Sequence, residues 1–287
     1  MKLRLIGFIL LALTPFARGQ STIDSANRFA HGANVGWMDW RADATSGAVI
    51  GEYVCSGFIY AANIGWLNLG TARPVNGIRY QNNSAIDFGV NHDGLGNLRG
   101  YAYGANVGWI SFEDSGAPKV DLQTGRLNGF IYGANIGWIS LGNAVAFVQT
   151  DAIAPGADSD GDGMADAFEY QFAGNLGTMN AVSDFDRDGF TDLEEYLAGT
   201  DPTNPADSLK IIQFIVGPSG ANVTLTWLSG PTRRYFIEKR TDFGAGNLWL
   251  DSGLGLLLPD GGTTTRFLSG GTNPGYFRIK AVRPLAP

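Results

Sequence analysis

Four near-copies of one short sequence constrain this chain more than any other feature. FAHGANVGWMDWR (29–41), FIYAANIGWLNLG (58–70), YAYGANVGWISFE (101–113) and FIYGANIGWISLG (130–142) share two alternate ring residues, an Asn and a Gly-Trp pair. Their tryptophans, Trp37, Trp66, Trp109 and Trp138, are separated by 29, 43 and 29 residues. Trp37 to Trp109 and Trp66 to Trp138 are both 72 residues, so the array is a duplicated pair. Repetition on this scale means supersecondary units that share a core.

The pieces of one unit are visible at 119–142: KVDLQ, the turn TGR, LNGFIY, the turn GAN, then IGWISLG. Each fits a strand, and the connections are of hairpin length. Four units predict an antiparallel β-repeat domain over 20–150, a meander or barrel of roughly a dozen strands, with unit one truncated. Strand alternation puts Gly137, Ile139 and Leu141 on one face, and that face is apolar in all four copies, so it is core. Trp138 lies on the other face, which ends polar at Asp39, Asn68, Ser111 and Ser140. The favoured expectation makes the repeated tryptophan core at the edge of burial, with the preceding Gly leaving room for a neighbouring ring. The alternative makes the Trp, Tyr and Asn residues a row of stacking surfaces for a glycan or a choline-like cation. Asn34, Asn63, Asn106 and Asn135 read as turn residues. His31 replaces a tyrosine present in the other copies.

The N-terminus, MKLRLIGFILLALTPFARGQ, has a basic start, an apolar run and small residues before Gln20. It predicts a signal peptide over 1–19 and an exported chain with no membrane span once the signal is removed. The lone Cys55 excludes an internal disulfide and occupies a leucine position of the repeat, so it is expected to be buried.

Acid is concentrated in one segment. Residues 151–210 carry 14 of the 27 acids against Arg187 and Lys210, a net −12 within a chain of −7. No basic patch marks a nucleic-acid partner. Within that segment DSDGDGMADAFE (158–169) and DFDRDGFTDLEE (184–195) both match the twelve-residue D-x-D-x-D-G-x5-E oxygen-ligand loop. Ca²⁺ takes six to eight oxygens, so a tight loop must turn alternate side chains inward. The expected ligands of the first loop are Asp158, Asp160, Asp162, the Met164 carbonyl, Asp166 and Glu169. Those of the second are Asp184, Asp186, Asp188, the Phe190 carbonyl, Asp192 and Glu195. Two calcium ions are expected, each loop followed by a short helix that ends at Gly174 or Gly199. Apolar faces of Met164, Phe168 and Phe172, and of Phe190, Leu193 and Leu197, would dock the two helices. Residues 151–208 are thus expected to form a calcium-loop–helix spacer.

From Leu209 onward six strand-like runs (LKIIQFIV, NVTLTWLS, RRYFIEKR, NLWLDS, TTTRFLS, GYFRIKAV) predict a C-terminal β-sandwich over 209–287. The chain is therefore expected to be mainly β.

Three resemblances accompany these readings. The repeats over 26–142 resemble the G-x-x-Y-G-x-N-x-G-W-I repeats of bacterial exported proteins. The segment 158–208, with its tail AGTDPTNPADS, resembles thrombospondin type 3-like calcium repeats, which implies a rigid calcium-dependent spacer and adds Asp201 and Asp207 as further candidate ligands. The stretch 209–284 resembles a fibronectin type III-like sandwich, with Trp227, Tyr235 and Phe277 as core aromatics.

With two histidines, one buried thiol and few acids outside the loops, no enzyme is expected. The first functional expectation is an exported, modular cell-surface or matrix protein with a structural or adhesive role, its partner another matrix protein. The second is a glycan-binding protein that uses the repeat tryptophans. A carbohydrate-active enzyme with paired carboxylates is a weaker third.

Overall fold

The computed structural model describes residues 20–286 except 219–221, 245, 247 and 270–274. The expected signal peptide, 1–19, lies outside the described residues. The described chain divides into two compact units, 20–178 with 284–286, and 179–283. The division falls between the two acidic loops, so the acidic segment is shared by the units.

The N-terminal unit is built from twelve described strands: β1 (Ile23–Gly32), β2 (Gly36–Asp39), β3 (Ser56–Ala61), β4 (Gly65–Thr71), β5 (Val90–His92), β6 (Leu98–Gly104), β7 (Gly108–Ser111), β8 (Lys119–Val120), β9 (Leu127–Asn128), β10 (Phe130–Gly133), β11 (Gly137–Ser140) and β12 (Val148–Thr150). Four hairpins, β1–β2, β3–β4, β6–β7 and β10–β11, each carry one sequence copy. They pair side by side, and β11 pairs back with β1, closing an eight-stranded antiparallel barrel. Closure leaves no sheet edge within the ring of hairpins. β12 adds to β1 and β5 to β6 outside it.

The inward positions explain why the repeat is a duplicated pair. Facing pairs Ala30–Met38 and Ala102–Ile110 alternate around the barrel with Ile59–Leu67 and Ile131–Ile139, all essentially inaccessible to solvent. At one end Val35 and Val107 alternate with Ile64 and Ile136; at the other Trp40 and Phe112 alternate with Leu69 and Leu141. Trp40 and Phe112, from opposite hairpins, meet edge-on at 6.4 Å. A barrel this narrow is filled by alternating small and large side chains, so the packing is twofold while the hairpin geometry is fourfold.

Each hairpin turns through Ala-Asn-Val or Ala-Asn-Ile and then a glycine at φ between 76° and 80°: Gly36, Gly65, Gly108 and Gly137. That left-handed conformation at the strand entrance requires glycine. The space beside the missing Cβ is taken by the side-chain amide of an Asn in the adjacent hairpin, 3.3–3.9 Å away, rather than by an aromatic ring. The same amides bond across hairpins: Asn63 donates to Val35 O at 3.1 Å, Asn106 to Ile64 O at 3.1 Å, Asn135 to Val107 O at 3.0 Å and Asn34 to Ile136 O at 3.1 Å. The repeated Asn is therefore a cross-link as well as a turn residue.

The C-terminal unit contains two three-stranded sheets around one core. β13 (Ile211–Val216), β14 (Asn222–Leu228) and β17 (Thr263–Ser269) form one; β15 (Arg234–Arg240), β16 (Leu250–Asp251) and β18 (Tyr276–Val282) form the other. Trp227, Tyr235 and Phe277 are buried between them, as expected from the sequence.

Candidate functional site

Two arrangements carry chemistry, one on the barrel wall and one in the acidic loops.

On the wall, hairpin register places a ring residue directly opposite each repeated tryptophan: His31 opposite Trp37, Tyr60 opposite Trp66, Tyr103 opposite Trp109 and Tyr132 opposite Trp138. The ring centroids are 4.8–4.9 Å apart. A second ring two residues earlier, from Phe29, Phe58, Tyr101 or Phe130, meets the indole edge-on at 6.3–6.4 Å. The favoured expectation of core tryptophans is corrected here. Trp37 is 53% exposed, Trp66 47%, Trp109 45% and Trp138 48%. The interior is already filled by the residues between the tryptophans, so alternation turns every indole outward. The barrel thus carries four aromatic stations that share one geometry.

Polar residues stand between the stations. Across the hairpin joins Asp39 pairs with Tyr60, Asn68 with Tyr103, Ser111 with Tyr132 and Ser140 with His31. Each station therefore offers planar apolar surface with hydrogen-bonding groups at its flank, the combination that recognises small polar molecules with an apolar face.

The two acidic loops share most of one hydrogen-bond pattern. Asp158 accepts from Gly161 N at 2.8 Å and Gly163 N at 3.1 Å; Asp184 accepts from Asp188 N at 3.2 Å and Gly189 N at 3.0 Å. Met164 N and Phe190 N donate to Asp162 and Asp188, each at 2.9 Å. Carboxylate oxygens of Asp158, Asp160 and Asp162 lie within 4.8 Å of one another, and those of Asp184, Asp186 and Asp188 do likewise. Gly163 and Gly189 bend the loops at φ 97° and 98°.

The helices α1 (Asp166–Phe172) and α2 (Asp192–Ala198) bring the closing glutamates under these clusters. Glu169 and Glu195 are buried, and both carboxylate oxygens of Glu169 and Oε2 of Glu195 have no hydrogen-bond partner. Oδ2 of Asp162 and Oδ2 of Asp186 are likewise unpartnered. Burial, then the neighbouring aspartates, pushes Glu169 up to about 8 and Glu195 up to about 8. Burial likewise raises Asp162 and Asp186. Buried, unpaired carboxylates that repel one another are the donor set a hard cation satisfies, so the residues fit Ca²⁺.

Asp166 and Asp192 are engaged elsewhere. Asp166 accepts from the Ser159 amide at 2.6 Å and the Ser159 hydroxyl at 2.7 Å, and Asp192 accepts from Phe185 N at 2.9 Å and the Ser183 hydroxyl. They tie the start of each loop to its helix. Asp201 and Asp207 bond within their own turn: Asp207 accepts from Asp201 N, and Asp201 accepts from Thr203. The docking face of α2 also differs from expectation. Tyr196 is buried while Leu193 and Leu197 are only partly so, because a seven-residue helix is too short for apolar period to dictate its orientation.

Three residues in this region carry no motif signal. Arg233 donates to Leu197 O at 3.0 Å and Tyr196 O at 2.7 Å, satisfying carbonyls at the end of α2. Tyr170 of α1 packs on Gly77, where a Cβ would stand 2.4 Å from its ring. Phe88 stands against Trp109 at 5.1 Å. Only the 43-residue interval in the tryptophan spacing hints at the last.

No helix among the described residues is long and apolar enough to cross a membrane. No family model, curated protein or solved structure matches the chain.

Proposed function

We propose that this chain is an exported, non-enzymatic adhesive protein of a cell surface or matrix, whose barrel binds glycan through its tryptophan stations. The observation that carries the reading is the outward display of all four indoles, each in contact with a second ring and close to a polar flank. Exposed aromatic area on this scale contributes nothing to the barrel core and is costly in water, which favours a role in contact. Four stations around one barrel suit a multivalent surface, where weak individual contacts combine.

Calcium completes the reading. Two ions would be held by Asp158, Asp160, Asp162 and Glu169, and by Asp184, Asp186, Asp188 and Glu195, with the Met164 and Phe190 carbonyls as further donors. The ion supplies charge that the buried glutamates lack; it performs no chemistry on a substrate. Support comes from the unpartnered buried carboxylates and their raised proton affinity.

A glycan array probed with the full chain in calcium tests the first part, and titration calorimetry with Ca²⁺ the second. Binding to no sugar would remove the adhesive reading through the stations. Absence of calcium binding at millimolar concentration would remove the metal.

A further inference from the structure

The four stations are not equivalent, and the uneven tryptophan spacing shows where to look. The longer interval precedes the third hairpin and contains residues 72–89, which fold into a tied loop. Tyr80 fills the space above Gly70 and Gly89, where a Cβ would lie 2.5 Å and 2.3 Å from its atoms. Its hydroxyl accepts from Ala72 N at 2.7 Å. Buried Asp87 accepts from Val75 N at 3.1 Å and Gln81 N at 3.2 Å, and Asn82 accepts from Gly89 N at 3.0 Å.

These ties hold both chain neighbours of Phe88 inside the loop and leave its ring on the barrel wall. The ring stands 5.1 Å from Trp109 at an interplanar angle of 81°, and 6.2 Å from Tyr103 at 67°. Trp109 nevertheless stays 45% exposed, close to the 47% of Trp66 and 48% of Trp138. Phe88 therefore stands beside the indole as a second wall. Among the described residues the other stations have, beyond the facing pair, only the edge-on ring of their own hairpin, at 6.3–6.4 Å, and no further ring from a loop. At the first, Arg28 stacks on Phe29 at 5.2 Å and pairs with Asp39 at 3.3 Å, so that station is charged.

We infer that Trp109, Tyr103 and Phe88 form the principal glycan subsite and that Phe88 determines its affinity; this rests on the glycan reading above. Every station has one ring edge-on to its indole at 6.3–6.4 Å, and Phe88 adds a closer wall near a right angle at 5.1 Å, so a pyranose ring stacked by its C–H face on the indole is contacted along one further edge. Asn68 beside Tyr103 and Ser111 beside Tyr101 supply neutral partners for hydroxyls. Both of these groups are uncharged, and the charged residues beyond them are engaged by the backbone, Glu113 accepting from Gly100 N at 3.0 Å and Arg99 donating to Leu98 O at 2.7 Å, so the ligand class is a neutral sugar.

The test is calorimetric titration of the full calcium-loaded chain with neutral tetrasaccharides of glucose, mannose and N-acetylglucosamine. For the sugar that binds, Trp109→Ala and Phe88→Ala are each expected to weaken affinity by about tenfold, and Trp37→Ala, Trp66→Ala and Trp138→Ala by less than about threefold. Phe88→Leu keeps an apolar side chain in the loop without a planar ring and is expected to lose affinity as Phe88→Ala does, with an unchanged melting temperature. Wild-type affinity in Phe88→Leu, or equal losses at all four tryptophans, would overturn this inference and leave the glycan reading standing. Failure of the wild-type chain to bind any of these sugars would overturn the inference alone, and binding to no glycan of the array would overturn both.

Discussion

Asn34 donates its side-chain amide to the carbonyl of Ile136, 102 residues along the chain, at 3.1 Å. This bond joins the first hairpin to the last and completes a ring of four equivalent cross-links. Each lies where a left-handed glycine leaves space for it, so the Asn and the Gly of the repeat are one device in two neighbouring hairpins.

Removing a link should therefore destabilise the barrel without reaching its core. Asn34→Ala is expected to cost about 1 kcal/mol, the net value of one such bond with a partly shielded partner. Gly137→Ala should cost about 1–2 kcal/mol, because alanine must adopt a left-handed φ. Urea unfolding followed by circular dichroism measures both; a wild-type midpoint in Gly137→Ala would show that the turn conformation is not required.

Calcium should stabilise the two units separately. Arg233 binds the carbonyls that end α2, and Arg283 donates to the Tyr196 hydroxyl at 3.0 Å, so the second loop is tied to the C-terminal sandwich. Tyr170 ties the first helix to the barrel unit through Gly77. Calcium at a hundred times its dissociation constant should add about 2.7 kcal/mol per site. Glu195→Gln is expected to lower the calcium-dependent melting of the C-terminal unit, and Glu169→Gln that of the barrel unit. Chelation should also expose 151–208 to protease. Equal cleavage with and without calcium would count against the ions.

Acid should weaken the barrel through His92. Its Nδ1–H donates to Gly51 O at 2.9 Å and its Nε2 accepts from Gly96 N at 3.1 Å, which fixes a neutral imidazole. Burial holds its proton affinity below the ordinary value, against opposing effects of the Gly51 bond, Asp93 and Glu52. The unfolded chain takes up a proton near pH 6.5 and the folded chain does not, so this stability is present above that pH and is lost as pH falls below it. Between about pH 7.5 and pH 5.5 in saturating calcium, the urea midpoint of the wild type should fall more than that of His92→Gln. Parallel profiles would refute the assignment.

Cys55 should report barrel opening. Burial raises its thiol to about 12, and it is 1% exposed. Reaction with an aromatic disulfide reagent is expected to be at least about a thousandfold slower in buffer than in denaturing urea, because only the opened chain presents thiolate. Rapid labelling in buffer would mean the barrel is loose around this position.

Strand alternation over Gly137, Ile139 and Leu141 was enough to identify the core face, and period alone located the six C-terminal strands. It could not decide the other face. A tryptophan is equally at home under a second layer or against water, and the difference depends on closure, a pairing between β1 and β11 that no local pattern encodes. The Asn cross-links were hidden for the same reason, since a turn role already accounts for the residue. In the acidic loops the spacing predicted the residues that gather, while the hydrogen bonds of Asp166 and Asp192 depend on Ser159 and Ser183, which the motif leaves unspecified. Phe88 was legible only as an interval of unusual length.

The barrel begins and ends at one place. Ile23 is paired with Thr150, and Asp151 N donates to Thr22 O at 2.8 Å, so the strand that enters and the strand that leaves are neighbours. The four joins between hairpins are held by the same type of bond, and none is privileged as the chain's point of entry. The chain could be opened at another join and its original ends fused, and the order of its hairpins around the ring would not change. The copy number of the repeat, by contrast, is not adjustable one unit at a time, because a fifth hairpin has no place in a ring that four already close.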